Sequence, residues 1–475
     1  MTPVRLPGAS PDAWLQTCSA LRALATRLAD HAEDAAALTG RLRAGWRGAA
    51  GAAAGAQLQR LHDTVAHLAP PLLAADQVLA EYAAALGRAR AALTDLTDDP
   101  AGPGMPIGTQ ATTGFAAILD LAGAAEAEAA RRLHDLVPAF RLDDPGGCRP
   151  GPIPQSGADP VAVHRWWLGL SESERRSLLA CEPARIGALD GVPAAARDTA
   201  NRLLLGDTPG LDALRARLAT DRPARAYLLA LDPEGGRAVV ATGNPDRADN
   251  VLTYVPGTSE SVRTLGRLME RADRIVAHAT VPSETTAVVV WLGYDAPGDV
   301  AAAASTRPAE RAEPALTRFA AGLRATHDGP VHHTVLGHSY GSLVVGMTAE
   351  DHPLAADDLI FVGSPGVGVD RAAELGMPAG HVWSSTAVGD PITALRAASV
   401  VRDPFVFGQT GPPDEQWFGT DPNSDRFGGR VFAADAGDPG RPVDVHSAYF
   451  TEGNEGLDNI ARIARGDTDA VTTRR

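Results

Sequence analysis

One serine of this chain lies between two glycines in a setting that could make it a nucleophile. The segment Gly337-His338-Ser339-Tyr340-Gly341 directly follows the apolar run 334–336 and directly precedes residues 342–347, which continue as a helix. A strand that turns sharply into a helix needs small residues around the turn, because the two elements approach closely there. The turn exposes the Ser339 hydroxyl on a strained backbone, and the helix N-terminus favours negative charge nearby. The pattern predicts acyl transfer at Ser339.

A serine nucleophile needs a general base, and the base needs an acid that orients it. Asp390 follows the apolar run 382–387 at its C-terminal end, where open α/β sheets place their sites. His446 comes after the last predicted strand and before a final helix. The chain order serine, aspartate, histidine is the one expected for a nucleophile on this kind of turn. We therefore expect Asp390 to be the acid and His446 the base.

Other acids and histidines are less well placed. Asp358 precedes its predicted strand and would lie at the wrong edge of a sheet, whereas Asp370 lies at the right edge one strand earlier and is the alternative acid. We expect His338, beside the nucleophile, to orient or pack rather than to act as the base. The remaining candidates precede the nucleophile strand, lie in the helix region after it or begin a later strand: His332, His333, His352 and His381.

Acyl transfer also needs two backbone N–H groups that stabilise an oxyanion. The residue after the nucleophile, Tyr340, supplies the first. The second is expected from the loop after the third predicted strand, where Gly257 allows close approach and Thr258 offers an N–H and a hydroxyl. An ordinary strand-ending turn is the alternative reading of this loop.

Short apolar runs separated by helical stretches must position these residues. Such a pattern favours an α/β fold with a largely parallel sheet covered on both faces. The first runs follow one another closely, which allows an antiparallel start to the sheet. The predicted strands are residues 227–231, 238–241, 251–255, 287–292, 334–336, 359–362, 382–387 and 431–433.

Composition excludes several classes of function. The chain has 475 residues, enough for two or three domains, and a formal net charge of −15, which argues against nucleic acid as a partner. It contains no lysine, so P-loop, Schiff-base and Ser-Lys chemistry are excluded. Three widely spaced cysteines are expected to be ordinary thiols. We expect no cofactor and no metal, because Gly366-Val367-Gly368 lacks the third glycine of a dinucleotide fingerprint and no ligand cluster is found.

The N-terminus lacks a secretory signal, and no segment is apolar enough to span a membrane, so a cytoplasmic location is the default expectation. Apolar residues recur at helical spacing on both sides of Trp46-Arg47-Gly48 and predict a helical hairpin. Over residues 10–95 this hairpin resembles the WXG-type proteins exported by ESX (type VII) secretion systems. The resemblance implies a helical partner protein and an ESX-type export route.

Residues 160–460 resemble an actinobacterial α/β-hydrolase family whose substrate is unassigned. The resemblance is carried by Trp166-Trp167-Leu168, Gly257, the segment 337–341, Gly363-Ser364-Pro365-Gly366, Asp390-Pro391 and His446-Ser447. It implies an α/β-hydrolase fold of about eight mostly parallel strands behind an all-α hairpin. We divide the chain into a hairpin (1–97), a linker with a third helix (98–150), the hydrolase domain (160–465) and a disordered tail (466–475).

These inferences together predict a serine hydrolase of the carboxylesterase or lipase type, acting on a small ester or lipid-like substrate. Thioesterase and amidase activity would use the same side chains. A different alternative is a secretion-associated interaction protein in which the hydrolase domain is cargo or scaffold. Four aromatic residues near strand ends could line an acyl pocket or simply pack in the core: Trp291, Trp383, Trp417 and Phe450.

Overall fold

The N-terminal part of the chain is a long helical hairpin followed by a third helix. The computed structural model describes residues 10–98, 110–140, 152–205, 209–393, 415–436 and 442–474. Helix α1 (Pro11–Gly45) starts behind Ser10, whose side chain accepts a hydrogen bond from the Ala13 N–H and so caps the helix. Helices α2 (Ala49–Asp98) and α3 (Gln110–Leu136) follow. The predicted hairpin and third helix are therefore present.

Five short helices connect this part to the sheet. They are α4 (Pro160–Gly169), α5 (Glu172–Cys181), α6 (Pro183–Gly187), α7 (Ala194–Leu205) and α8 (Asp212–Leu218). Ser171 and Glu174 form a capping box at the start of α5, in which each side chain meets the other residue's backbone N–H.

The central sheet contains eight strands, and each one overlaps a predicted apolar run. The bounds are β1 (Ala226–Asp232), β2 (Arg237–Thr242), β3 (Asn250–Val255), β4 (Thr286–Leu292), β5 (His332–His338), β6 (Asp358–Val362), β7 (Val382–Ser385) and β10 (Arg430–Val431). Their order in the sheet is β1-β2-β4-β3-β5-β6-β7-β10, with β1 and β2 antiparallel to each other and β2 antiparallel to β4. All other pairs in this sheet are parallel. A separate two-stranded sheet pairs β8 (Glu415–Gln416) with β9 (Gly419–Thr420).

Helices cover both faces of the sheet. On one face α10 (Arg307–Thr326) and α11 (Tyr340–Asp351) pack on the strands, and on the other face α9 (Leu265–Ala279) and α13 (Glu455–Ala464) do so. A short helix α12 (Pro442–Val445) precedes α13. Because both faces are covered, the strands are buried almost throughout, which explains their continuous apolar runs. No helix among the described residues is long and apolar enough to cross a membrane.

A buried ion cluster joins the hairpin to the part of the chain that contains the central sheet. Arg22 of α1 pairs with Asp76 of α2 at 3.0 Å and with Asp221 at 2.8 Å. Arg225, just before β1, pairs with Asp76 at 2.7 Å and with Asp198 of α7 at 3.3 Å. The side chains of Arg22, Asp76, Arg225 and Asp198 are at most 9% exposed. The hairpin is therefore packed against the sheet-containing part through charged side chains that are almost fully buried.

Two expectations differ from the structure. The expectation of a disordered tail after residue 465 is wrong for residues 466–474. Thr473 forms a β-bridge with Phe432, and the Arg474 N–H donates to the Val431 carbonyl at 2.9 Å. These main-chain bonds extend the β10 edge with residues that have no apolar pattern. The expectation of ordinary thiols is wrong for Cys181, which is disulfide-bonded, whereas Cys18 is a buried free thiol.

Candidate active site

Ser339 lies in the sharp turn between β5 and α11. Its backbone has φ 55° and ψ −128°, a strained combination for a residue with a side chain. A Cβ added at Gly337 would lie 2.6 Å from the Ser342 Cα, and one added at Gly341 would lie 2.2 Å from the Val255 carbonyl oxygen. Both flanking positions therefore exclude any side chain, as the turn requires.

Asp390 and His446 meet beside this turn. His446 Nδ1 lies 2.8 Å from Asp390 Oδ1, which also accepts a hydrogen bond from the Ile392 N–H at 2.9 Å. Asp390 is fully buried. Burial raises the pKa of this carboxyl, but hydrogen bonds from His446, Tyr449 and Ile392 outweigh it and hold the pKa below its usual value. Asp390 is thus a carboxylate that orients the imidazole.

Tyr449 is a member of this group that sequence reasoning missed. Its hydroxyl donates to Asp390 Oδ2 at 2.6 Å and accepts from the Ala387 N–H at 2.8 Å. The side chain is fully buried. The only available signal was its spacing of three residues after His446, which is too common to single it out. With Tyr449 at Oδ2 and His446 at Oδ1, both carboxylate oxygens of Asp390 are hydrogen-bonded.

Gly363, at the end of β6, lies against the same pair. With φ +54°, it would place an added Cβ 3.0 Å from His446 Cε1 and 3.1 Å from Asp390 Oδ2. Any side chain here would have to displace the imidazole or the carboxylate. The resemblance that includes Gly363 thus has a physical counterpart at the site.

His338 packs on His446 rather than facing the solvent. Its Nε2–H donates to the His446 carbonyl oxygen at 2.7 Å, and the two ring centroids are 4.8 Å apart. Burial and the neighbouring His446 lower the pKa of His338 well below its usual value, so it is neutral.

Ser339 itself is half-buried, and its Oγ has no hydrogen-bond partner among the residues that the structure describes. His446 Nδ1 is occupied by Asp390, so Nε2 is the ring nitrogen left to receive a proton. Among the described residues, no hydrogen bond joins Ser339 to His446. Bonds of this type often form only when a substrate is bound.

The loop after β3 lies against Ser339. An added Cβ on Gly257 would be 2.7 Å from the Ser339 Cβ and 3.0 Å from the Tyr340 nitrogen. Tyr340 is the first residue of α11, where helical N–H groups have no intrahelical acceptor. The Thr258 N–H has no acceptor within the described part of the chain. Among the described residues, neither the Tyr340 N–H nor the Thr258 N–H therefore has a hydrogen-bond acceptor.

The alternative acids and bases have other partners. Asp370 Oδ1 accepts hydrogen bonds from the Thr420 N–H and hydroxyl, away from His446. Asp358 lies at the start of β6, where it accepts a hydrogen bond from the Trp383 indole and faces two of the histidines, His332 and His381. His333 contacts Thr253, and His352 faces Glu313.

Most of the aromatic residues considered for an acyl pocket belong to the core. Trp291, Trp383 and Phe450 are at most 2% exposed and sit within the two apolar layers of the sheet. Trp417 is only partly buried and stacks on Phe418. Within the described ranges, no group of three or more histidine, cysteine or acidic side chains could hold a metal ion.

Comparisons with known proteins agree with this fold. An alpha/beta hydrolase family model matches residues 232–400. The uncharacterized protein Rv2079 of Mycobacterium tuberculosis is 34% identical over 380 residues, which covers 68% of this chain and 58% of the relative. The uncharacterized protein Rv0963c of the same species is 32% identical over 194 residues, covering 38% of this chain and 73% of the relative. The chain belongs to the alpha/beta hydrolase family.

The matched family segment contains Gly257, Ser339, Gly363 and Asp390, whereas His446 lies beyond it. The chain spans 58% of the length of Rv2079.

Proposed function

We propose that the protein is a serine hydrolase that cleaves an ester-type carbonyl with Ser339, His446 and Asp390. The observation that carries the proposal is the Asp390–His446 hydrogen bond of 2.8 Å beside a serine held at φ 55°. A buried carboxylate that orients an imidazole next to a strained, accessible serine is the arrangement that acyl transfer needs.

In the proposed reaction His446 Nε2 takes the proton of the Ser339 hydroxyl, and the Oγ attacks the carbonyl carbon. The resulting oxyanion receives hydrogen bonds from the Tyr340 and Thr258 N–H groups. The intermediate collapses when the C–O bond to the alcohol breaks and His446 returns the proton to the leaving oxygen. Water then attacks the acyl-enzyme with His446 again as base, which releases the acid and restores Ser339.

Carboxylic esters, including lipid-like ones, are the proposed substrates, and thioesters or amides would pass through the same intermediate. Two measurements test the class of reaction. A fluorophosphonate probe should label the wild type and leave Ser339→Ala unlabelled, and turnover of p-nitrophenyl esters should fall by about 10³-fold or more in the same variant. Ser173→Ala, at an exposed serine of α5, is the control. A wild type that is folded but neither labelled nor active would contradict the proposal.

A second proposed role, in secretion, has one supporting observation. Trp46, at the turn of the hairpin, is 51% exposed although it is a large apolar side chain. An exposed tryptophan in a tight turn is available to a helical partner. Export through an ESX-type system that is unchanged by Trp46→Ala would contradict this role.

A further inference from the structure

The loop that carries the second proposed oxyanion donor is held in place by the loop after β4. Residues 256–259 follow β3 and pass directly beside Ser339, as the close approach of Gly257 demonstrates. The turn at Ser339 is equally close to this loop, because a side chain at Gly341 would meet the carbonyls of Val255 and Pro256. A small rotation of one peptide in this loop would therefore change what faces the substrate carbonyl.

Two hydrogen bonds hold the peptides that flank the Gly257–Thr258 peptide. The Tyr294 hydroxyl donates to the Pro256 carbonyl oxygen at 2.7 Å, which sets the plane of the Pro256–Gly257 peptide. The Ser259 N–H donates to the Pro297 carbonyl oxygen at 2.7 Å, which sets the plane of the Thr258–Ser259 peptide. Between them lies the peptide that carries the Thr258 N–H.

Tyr294 is suited to act as a rigid support. Its side chain is 4% exposed and its ring stacks on Trp291 with an interplanar angle of 7°. Burial raises the pKa of Tyr294 well above its usual value, so the hydroxyl keeps its proton and remains a donor across the pH range of an assay. Nothing in the reaction as proposed above uses this buried hydroxyl.

Ser259 supports the same loop from its other end. Its φ of +64° is an uncommon conformation for a residue with a side chain. The Ser259 hydroxyl donates to the Gly298 carbonyl oxygen at 2.8 Å, so this residue makes two bonds to the loop after β4. A strained conformation persists where surrounding contacts determine it.

We propose that Tyr294 is a positioning residue for the oxyanion hole, holding the Thr258 N–H toward the reacting carbonyl through the Pro256 carbonyl. This inference rests on the proposed serine hydrolase function. Without the hydroxyl, the Pro256 carbonyl loses its hydrogen-bond donor. The Pro256–Gly257 peptide can then rotate, which turns the next peptide away from the oxyanion. Oxyanion hydrogen bonds act mainly in the transition state, so their loss lowers kcat rather than raising KM.

Tyr294→Phe removes only the hydroxyl and keeps the ring on Trp291. Loss of a whole oxyanion donor costs about 10²–10³-fold in kcat, so we expect a decrease of about tenfold to hundredfold with an unchanged KM. A trifluoromethyl ketone, which forms a tetrahedral oxyanion adduct with the serine, should bind more weakly by the same factor. A purely structural role for Tyr294 would not couple these two quantities.

The matched control is Tyr227→Phe, which also removes one buried tyrosine hydroxyl bond, to Glu81 at 2.9 Å, far from the nucleophile. If kcat and inhibitor affinity of Tyr294→Phe stay within about twofold of this control, the inference is overturned. Ser259→Gly keeps the positive φ but removes the hydroxyl bond to Gly298, so it tests the same loop if Tyr294→Phe does not fold, with the same expected and contradicting results. Ser339→Ala, measured in parallel, separates the two proposals, because activity independent of Ser339 refutes the function itself.

Discussion

The Tyr449 hydroxyl and Asp390 Oδ2 are 2.6 Å apart, so the carboxylate that orients His446 is itself held by a buried phenol. A neutral donor to a carboxylate favours its charged form. Tyr449→Phe should therefore raise the pKa of Asp390 and loosen the imidazole. We expect kcat/KM to fall by about tenfold, because a hydrogen bond to a charged group contributes about 1.5–3 kcal/mol. Steady-state kinetics check the effect, and activity equal to the wild type would show that Asp390 needs no such support.

Asp390 also makes stability depend on pH. Its folded-state pKa lies below the ordinary value of 3.8, so its contribution is present above that value and is lost as pH falls through the folded-state pKa. Tyr449→Phe should reduce this contribution. Urea unfolding at pH 7 and pH 3 measures it, and the difference between wild type and variant should be larger at pH 7.

Gly363→Ala should damage the site more than the fold. The added methyl would lie 3.0 Å from His446 Cε1, so the imidazole must move away from its position beside Ser339. Activity should fall by about tenfold or more, since small misplacements of catalytic groups are costly. Gly428→Ala is the control, because Gly428 has a similar positive φ of +81° but nothing within 4 Å of the added carbon. Equal activity in the two variants would mean that backbone strain alone explains the effect.

Asp246 should make the protein more stable in mild acid. Burial raises the pKa of this carboxyl to about 6, although the Thr326 hydroxyl and the Ala194 N–H, each at 2.6 Å, donate to it. A raised acid pKa means that the folded state binds a proton more readily than the unfolded state, so its contribution is present below the unfolded value and is lost as pH rises through about 6. The full change between the unfolded and the folded pKa value is on the order of 3 kcal/mol.

Asp246→Asn keeps an acceptor for Ala194 and a donor for Thr326, so it should remove this pH dependence. Wild type and variant are compared by urea unfolding at pH 5 and pH 7. Burial lowers the pKa of His333 to about 4, so His333 changes the free energy of unfolding in the opposite direction over the same pH range. Comparison with the variant separates the contribution of Asp246 from that of His333. Asp212→Asn, at a highly exposed carboxyl, is the control. A wild type and an Asp246→Asn variant with identical pH dependence would contradict the assignment.

Asp76→Ala should destabilise the whole chain rather than release the hairpin alone. It leaves Arg22 and Arg225 buried without one shared carboxylate, and breaking a buried pair costs about 3–5 kcal/mol. Far-ultraviolet circular dichroism and tryptophan fluorescence should report one common unfolding transition. Arg131→Ala, which breaks an exposed pair on α3, should change little. Separate transitions for the two signals would indicate an independently folding hairpin.

Much of the fold could be predicted because strands that are buried on both faces of a sheet are continuous apolar runs in the sequence. Residues 359–362 and 287–292, for example, fall on β6 and β4. The sharp turn at Ser339 was predictable because close backbone contacts require glycine at positions 337 and 341. Asp390 and His446 could be proposed from chain order, and the structure brings them together.

The supporting residues could not be predicted in this way. The hydroxyls of Tyr449 and Tyr294 form hydrogen bonds with groups far away in sequence, and no periodicity records such bonds. The segment 466–474 is held by main-chain bonds that any residue could make. The ion cluster was also missed, because charged residues such as Asp76 and Arg225 look like exposed ones until their partners are placed.

The buried ion cluster between the hairpin and the hydrolase part should constrain which residues homologous sequences carry at its positions. A chain that lost the hairpin would expose Asp198 and Arg225 to water or leave them without Asp76, so selection should replace their charges. Relatives with the hairpin should retain opposite charges at these positions, and relatives without it should carry small or apolar residues there. The charge pattern of these few positions could thus indicate, for any homologous sequence, whether a helical hairpin once accompanied the catalytic part.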